Sequence, residues 1–159
     1  MNRHTLFLLL FTFFHGVYAQ SDAAYEQLAD ASNIKLGWDT LSDVDFEFEY
    51  NETEEVYFLK ALFGEKIKSY AGQKISITGF FLNIAGDGEL LLVSRNPMSS
   101  CFYCGAAGPE SVVEINFIEK PSFVTDQIVT ITGILELNDS DGDHFNYILN
   151  EATGKLDDR

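Results

Sequence analysis

The chain has 159 residues, of which 46% are apolar and 14% aromatic. That is material for one well-cored domain, which excludes a wholly disordered chain and leaves no room for two comfortable domains. Ten Lys and Arg against 25 Asp and Glu give a formal charge of −15. Such a balance repels phosphate backbones and excludes nucleic acid as a partner through a basic face, while two cysteines are too few for a disulfide-dense scaffold.

Arg3 and His4 precede an apolar run from Leu6 to Phe14, and Val17-Tyr18-Ala19 follows with a small residue at its end. This is the order of a secretory signal peptide, and the run is about half of the ~20 apolar residues a membrane span needs. Residues 1–19 are expected to be removed after Ala19, placing the protein in the periplasm or outside the cell. His144 is then the only histidine left. No later stretch is apolar enough for a transmembrane segment, and no glycine-rich phosphate loop or dinucleotide fingerprint occurs.

Residues 20–70 are expected to form a helical and extended segment that packs on the rest. Within it, residues 21–33 read as a short helix with Ser21 or Asp22 as cap and a stripe through Tyr25, Leu28, Ala29 and Ile34. Residues 45–50 alternate acid and aromatic, which predicts a half-buried strand with Phe46, Phe48 and Tyr50 on the inner face. Residues 51–69 return to a helical spacing through Val56, Leu59, Leu62, Phe63 and Ile67, broken near Gly64.

Residues 71–159 read as a β domain. Five β-branched or aromatic runs, at 74–82, 89–94, 111–117, 128–137 and 145–149, are joined by segments rich in Gly, Asp, Asn and Pro. Two runs resemble each other: Ile75-Ser76-Ile77-Thr78-Gly79 and Val129-Thr130-Ile131-Thr132-Gly133. Mid-strand glycines mark sites of bulging or sharp bending. Together these features predict a mainly β protein, a small OB-like Greek-key barrel of about five strands, with a β-sandwich as the alternative. The acidic segment from Asp139 to Asp143 fails as an EF-hand. With Gly142 at position 6, positions 1 and 12 fall on Leu137 and Ile148, so Asp141-Gly142 is read as a hairpin turn.

The informative chemistry lies in Cys101-Phe102-Tyr103-Cys104-Gly105 and the following Gly108-Pro109-Glu110. Thiols at this spacing close a disulfide, grip a borderline metal or exchange with a partner. A thioredoxin-type site needs a helix after the first cysteine, and Gly105, Gly108 and Pro109 oppose one. Zinc usually takes four ligands, of which Cys101 and Cys104 supply two; His144, Glu114 and Glu110 are the other candidates. On its predicted strand Glu114 falls on the face opposite Val113 and Ile115, where a glutamate is ordinarily solvated.

Trp38-Asp39-Thr40-Leu41, Gly72-Gln73-Lys74 through Gly79-Phe80, the Cys-x-x-Cys-Gly…Gly-Pro-Glu loop and His144-Phe145-Asn146-Tyr147 together resemble a bacterial family of exported domains. The resemblance implies a small periplasmic protein or lipoprotein, in some cases serving an ABC-type transporter linked to metal supply. It implies no reaction, and the lipoprotein cysteine is lacking here.

The expected function is therefore non-enzymatic: an exported acidic binding domain holding a transition metal, zinc, at the cysteine loop for a transporter or another envelope partner. A thiol–disulfide redox protein using Cys101 and Cys104 is the alternative from another class. A disulfide-stiffened module binding protein or glycan is the third.

Overall fold

The computed structural model describes residues 34–52, 55–85, 90–101 and 107–157. The expected signal peptide, the helix at 21–33, the acidic turn at 86–88 and Cys104 lie outside the described residues. Within Ile34–Arg159, which forms one compact unit, the protein is mainly β. The elements are β1 (Ile34–Lys35), α1 (Trp38–Leu41), β2 (Val44–Asn51), β3 (Val56–Phe63), α2 (Glu65–Lys68), β4 (Lys74–Asn83), β5 (Leu91–Ser94), β6 (Val112–Phe117), β7 (Ile128–Leu137) and β8 (Tyr147–Leu156). Single 3₁₀ turns at Met98–Ser100 and Pro109–Ser111 flank the cysteine loop.

Strands β4, β5, β6, β8 and β7 pair in that order, and β7 returns to β4 to close a five-stranded barrel. All pairs are antiparallel except β6–β8. The short β1 runs parallel to β4, with Ile34 opposite Ile75. Alternation along the strands fills the interior. Ile75, Ile77, Phe81, Val93, Val113, Ile115, Val129, Ile131, Leu135, Tyr147 and Leu149 are all buried in one cluster. A second, smaller cluster of Leu82, Leu92 and Cys101 forms on the opposite face of β4 and β5. This second layer explains why all four residues of β5 are buried.

The two mid-strand glycines differ. At Gly133 the β7–β8 register shifts, and the extra residue lies in β8, where Glu151 adopts φ 50°. A Cβ on Gly133 would come within 2.8 Å of the Asn150 carbonyl oxygen, so the bulge requires a bare backbone opposite it. Gly79 has no such bulge in its pairing with β7. A Cβ there would collide with the Ser94 carbonyl oxygen and the Trp38 ring. Neither glycine has a positive φ; what both need is room.

Two sequence expectations are corrected. Residues 56–63 form a strand, not a helix: β3 pairs with β2 as an antiparallel hairpin in full register from Val44↔Phe63 to Asn51↔Val56. The run Val-Tyr-Phe-Leu-Lys-Ala-Leu-Phe satisfies both periods because it is nearly all apolar, and its β-branched and aromatic start together with the cross-strand partner decides for β. Only Glu65–Lys68 makes a helical turn. The second correction concerns β2. Its strand assignment holds, but Phe48 is 77% and Tyr50 47% exposed, so its aromatic face is not half-buried beyond Phe46.

The base of the hairpin is tied to the barrel. Val44 and Phe63 pack on the main core, Ala61 is buried, and the Phe63 ring meets Tyr147 edge-on at 5.4 Å. Asp43 accepts the Ile67 amide at 3.0 Å, locking α2 to the start of β2. The Trp38 indole donates to the Thr78 carbonyl at 2.9 Å, which fastens α1 to β4. Tyr147 donates its hydroxyl to the Leu41 carbonyl at 2.5 Å.

Candidate functional site

Glu114 is not solvated. It lies in the middle of β6, opposite Leu92 of β5 and Ile148 of β8, and is only 7% exposed. The second apolar layer covers this outer face of the barrel, so the sequence rule for a polar strand face fails here. A carboxylate so placed needs partners, since burying a bare charge is costly. It has two. Oε1 lies 2.9 Å from the His144 Nδ1, and Oε2 accepts the Phe145 amide at 3.1 Å. Because the carboxylate only accepts, Nδ1 carries the proton, and in the neutral ring Nε2 keeps its lone pair.

His144 sits in the β7–β8 connection, since β8 begins at Tyr147. Its side chain is 49% exposed. The Glu114 carboxylate, first by hydrogen bond and then by charge, holds the imidazole pKa above the usual 6.5, and Asp141 and Asp143 add to the effect.

Asn138 shapes the connection. Its side-chain amide donates to the carbonyls of Asp141, His144 and Phe145, and its Oδ1 accepts the amides of Ser140 and Asp141. The expected hairpin joint between β7 and β8 is present, but as a nine-residue connection (138–146) organised by this one side chain rather than as a two-residue turn. The Asn-Asp-Ser signature at a strand end was the available signal for it.

Beside the connection lies a cleft of about 360 Å³. Phe58 and Leu59 of β3 form one wall with Leu90 and Phe145, and Asp139, Asp141, Asp143 and His144 form the acidic rim. The apolar wall comes from the strand that sequence spacing assigned to a helix. A second hollow, lined by Phe117, Ile118, Pro121, Phe123 and Gly154, contains none of the expected site residues.

Of the five expected ligands, Glu114 and His144 are brought together. Cys101 is 0% exposed and clusters with Leu82 and Leu92, a cluster against which Phe145 also packs. It carries no disulfide among the described residues. Glu110 turns back over Gly108, occupying the space a Cβ there would need. Its charge, after burial itself, helps push the Tyr147 phenol well above its usual range. Among the described residues no three His, Cys, Asp or Glu side chains gather into a metal-holding group. The Glu114 oxygens are both engaged and the Cys101 sulfur is enclosed by apolar chains. These described residues alone therefore do not make a zinc site; they offer one oriented donor, the His144 Nε2.

Compared with known proteins, the chain matches no family model, no curated protein and no solved structure. Among the described residues no helix is long and apolar enough to cross a membrane.

Proposed function

We propose that the protein is an exported, non-enzymatic binding domain on an OB-type barrel, which takes a positively charged group with an apolar body into the cleft beside the β7–β8 connection. The OB-type reading is supported by the closure order, with the third and fifth barrel strands parallel and the first and fourth paired. The observation that carries the binding reading is the cleft itself, where an apolar wall of Phe58, Leu59 and Leu90 faces three aspartates. That lining desolvates a hydrocarbon body while leaving carboxylates for a cation. A basic side chain of an envelope partner has this chemistry. Titration with phenethylammonium, followed by NMR, tests it: saturable shifts centred on residues 139–146, weakened by salt, are expected. Absence of shifts there at millimolar ligand would overturn the reading.

The metal reading has one specific observation in its favour. A carboxylate that fixes the Nδ1–H tautomer and leaves Nε2 outward is the usual support of a metal-ligating histidine. Zinc would then be held by His144 with the thiolates of the cysteine loop, where it would supply Lewis acidity and a structural clamp. Elemental analysis with a thiol count separates this from a structural disulfide: zinc with two free thiols supports it, and metal-free protein with a quantitative Cys101–Cys104 bond sinks it. Thiol exchange is the least supported alternative, because attack requires access and Cys101 has none.

A further inference from the structure

Beyond the cleft, the hairpin carries a second surface. β2 and β3 form a two-stranded sheet to which no other strand pairs among the described residues. β3 is the inner strand: Ala61 is 2% exposed, and Phe58 and Leu59 wall the cleft. β2 is the outer one, exposed from Glu47 through Tyr50. A strand with its edge open presents a row of backbone N–H and C=O groups that can template another strand.

The two faces of β2 differ in chemistry. Because side chains alternate, Phe46, Phe48 and Tyr50 line one face, while Asp45, Glu47 and Glu49 line the other. The aromatic face is continued across the register by Leu59 opposite Phe48 and Tyr57 opposite Tyr50, the two tyrosine rings lying 4.9 Å apart. Tyr57 is 72% exposed. On the acidic face the sole hairpin cation, Lys60, stands opposite Glu47 and pairs with Glu49 at 2.5 Å. Residues 44–63 hold six acidic side chains against that one lysine.

We infer that the open edge of β2 accepts an extended segment of another protein in which basic and apolar residues alternate. Such a strand, hydrogen-bonded along β2, places every second side chain beside Phe46, Phe48 and Tyr50 and the intervening ones beside Asp45, Glu47 and Glu49. Directly opposed unlike charges and aromatic–aliphatic pairs both stabilise a ladder. A second copy of this chain is a poor occupant. Antiparallel β2–β2 pairing would set carboxylate against carboxylate along one face, and like charges there destabilise. The edge is thus guarded against itself while remaining open to a basic strand. The chain's own residues 20–33 are equally unsuited, since they contain Asp22, Glu26 and Asp30 and no Lys or Arg. The inference does not depend on what enters the cleft.

The test uses two capped octapeptides of one composition, four Lys and four Val, one strictly alternating and one with the lysines in a block. Calorimetry on the whole exported chain should show the alternating peptide binding about tenfold more tightly, and hydrogen exchange should slow at amides 45–50. Glu47→Gln, at an exposed position and with no new charge set against Lys60, should weaken the alternating peptide several-fold, and Phe48→Ser should do so independently. Equal binding of the two isomers would reduce the effect to diffuse charge and overturn the proposal. So would protection confined to residues 139–146, self-association protecting the same β2 amides, or no binding at millimolar peptide.

Discussion

At the scale of single residues, Glu114 and His144 show what a sequence pattern carries and what it omits. Both were named as candidates by residue type, yet neither their pairing nor the burial of Glu114 follows from period-two alternation. Burial arises because a second apolar layer, seeded by Leu82, Leu92 and Cys101, covers a face that alternation marks as polar. The pair has a measurable consequence. Its imidazole pKa is raised in the folded protein, so its contribution to stability is fully present below the unfolded value of about 6.5 and is lost as pH rises through the raised value. Since the His144 side chain is 49% exposed, solvent screening keeps that contribution small. Glu114→Gln should lower the His144 pKa in an NMR titration and flatten the stability change across that window. An unchanged titration would show that the carboxylate does not govern the ring. Gly79 supplies the second case. Gly79→Ala, forced against the Ser94 carbonyl and the Trp38 ring, should destabilise by about 1–3 kcal/mol in urea unfolding, although no unusual φ is involved.

At the scale of elements, the barrel strands were legible because each is long, β-branched and bounded by turn residues. The two similar runs, residues 75–79 and 129–133, lie side by side in the structure, with Ile77 opposite Ile131 and the hydroxyls of Thr78 and Thr130 2.7 Å apart. The β3 strand was not legible, because an almost wholly apolar run fits either period and its partner β2 lies across a turn that local spacing does not register. The extent of β8 was also missed: from Asn150 to Leu156 it carries mostly exposed residues and a bulge at Glu151, which interrupt any alternating signal. Tyr147 joins these elements. It is wholly buried, its ring meets Phe63, and its hydroxyl holds the last residue of α1. Burial first, with the charges of Glu110 and Asp43, keeps the phenol protonated and able to donate. Tyr147→Phe leaves the Leu41 carbonyl without this donor and should cost about 1–2 kcal/mol by denaturant titration, with α1 amides exchanging faster. An unperturbed midpoint would mean that water takes over the bond without penalty.

At the scale of the whole molecule, charge decides between uses of the same architecture. Some small closed β-barrels bind oligonucleotides across their strands and loops, and the binding face is largely a matter of which charges surround it. Here the chain totals −15, and the connection beside the cleft adds Asp139, Asp141 and Asp143 to the Glu114 carboxylate. The basic residues nearest to a cluster, Lys60, Lys66, Lys68 and Lys74, do not form a phosphate track. Lys60 is engaged by Glu49 and Lys68 by Glu65. Nucleic-acid affinity at physiological salt rests on several lysines or arginines displacing counterions together, and this surface has no such set among its described residues. The protein should therefore show no binding to labelled single-stranded DNA at about 150 mM salt in fluorescence anisotropy, and lowering the salt should not rescue it, because the net repulsion then grows. Micromolar binding that strengthens at low salt would show that a local basic track outweighs the acidic total.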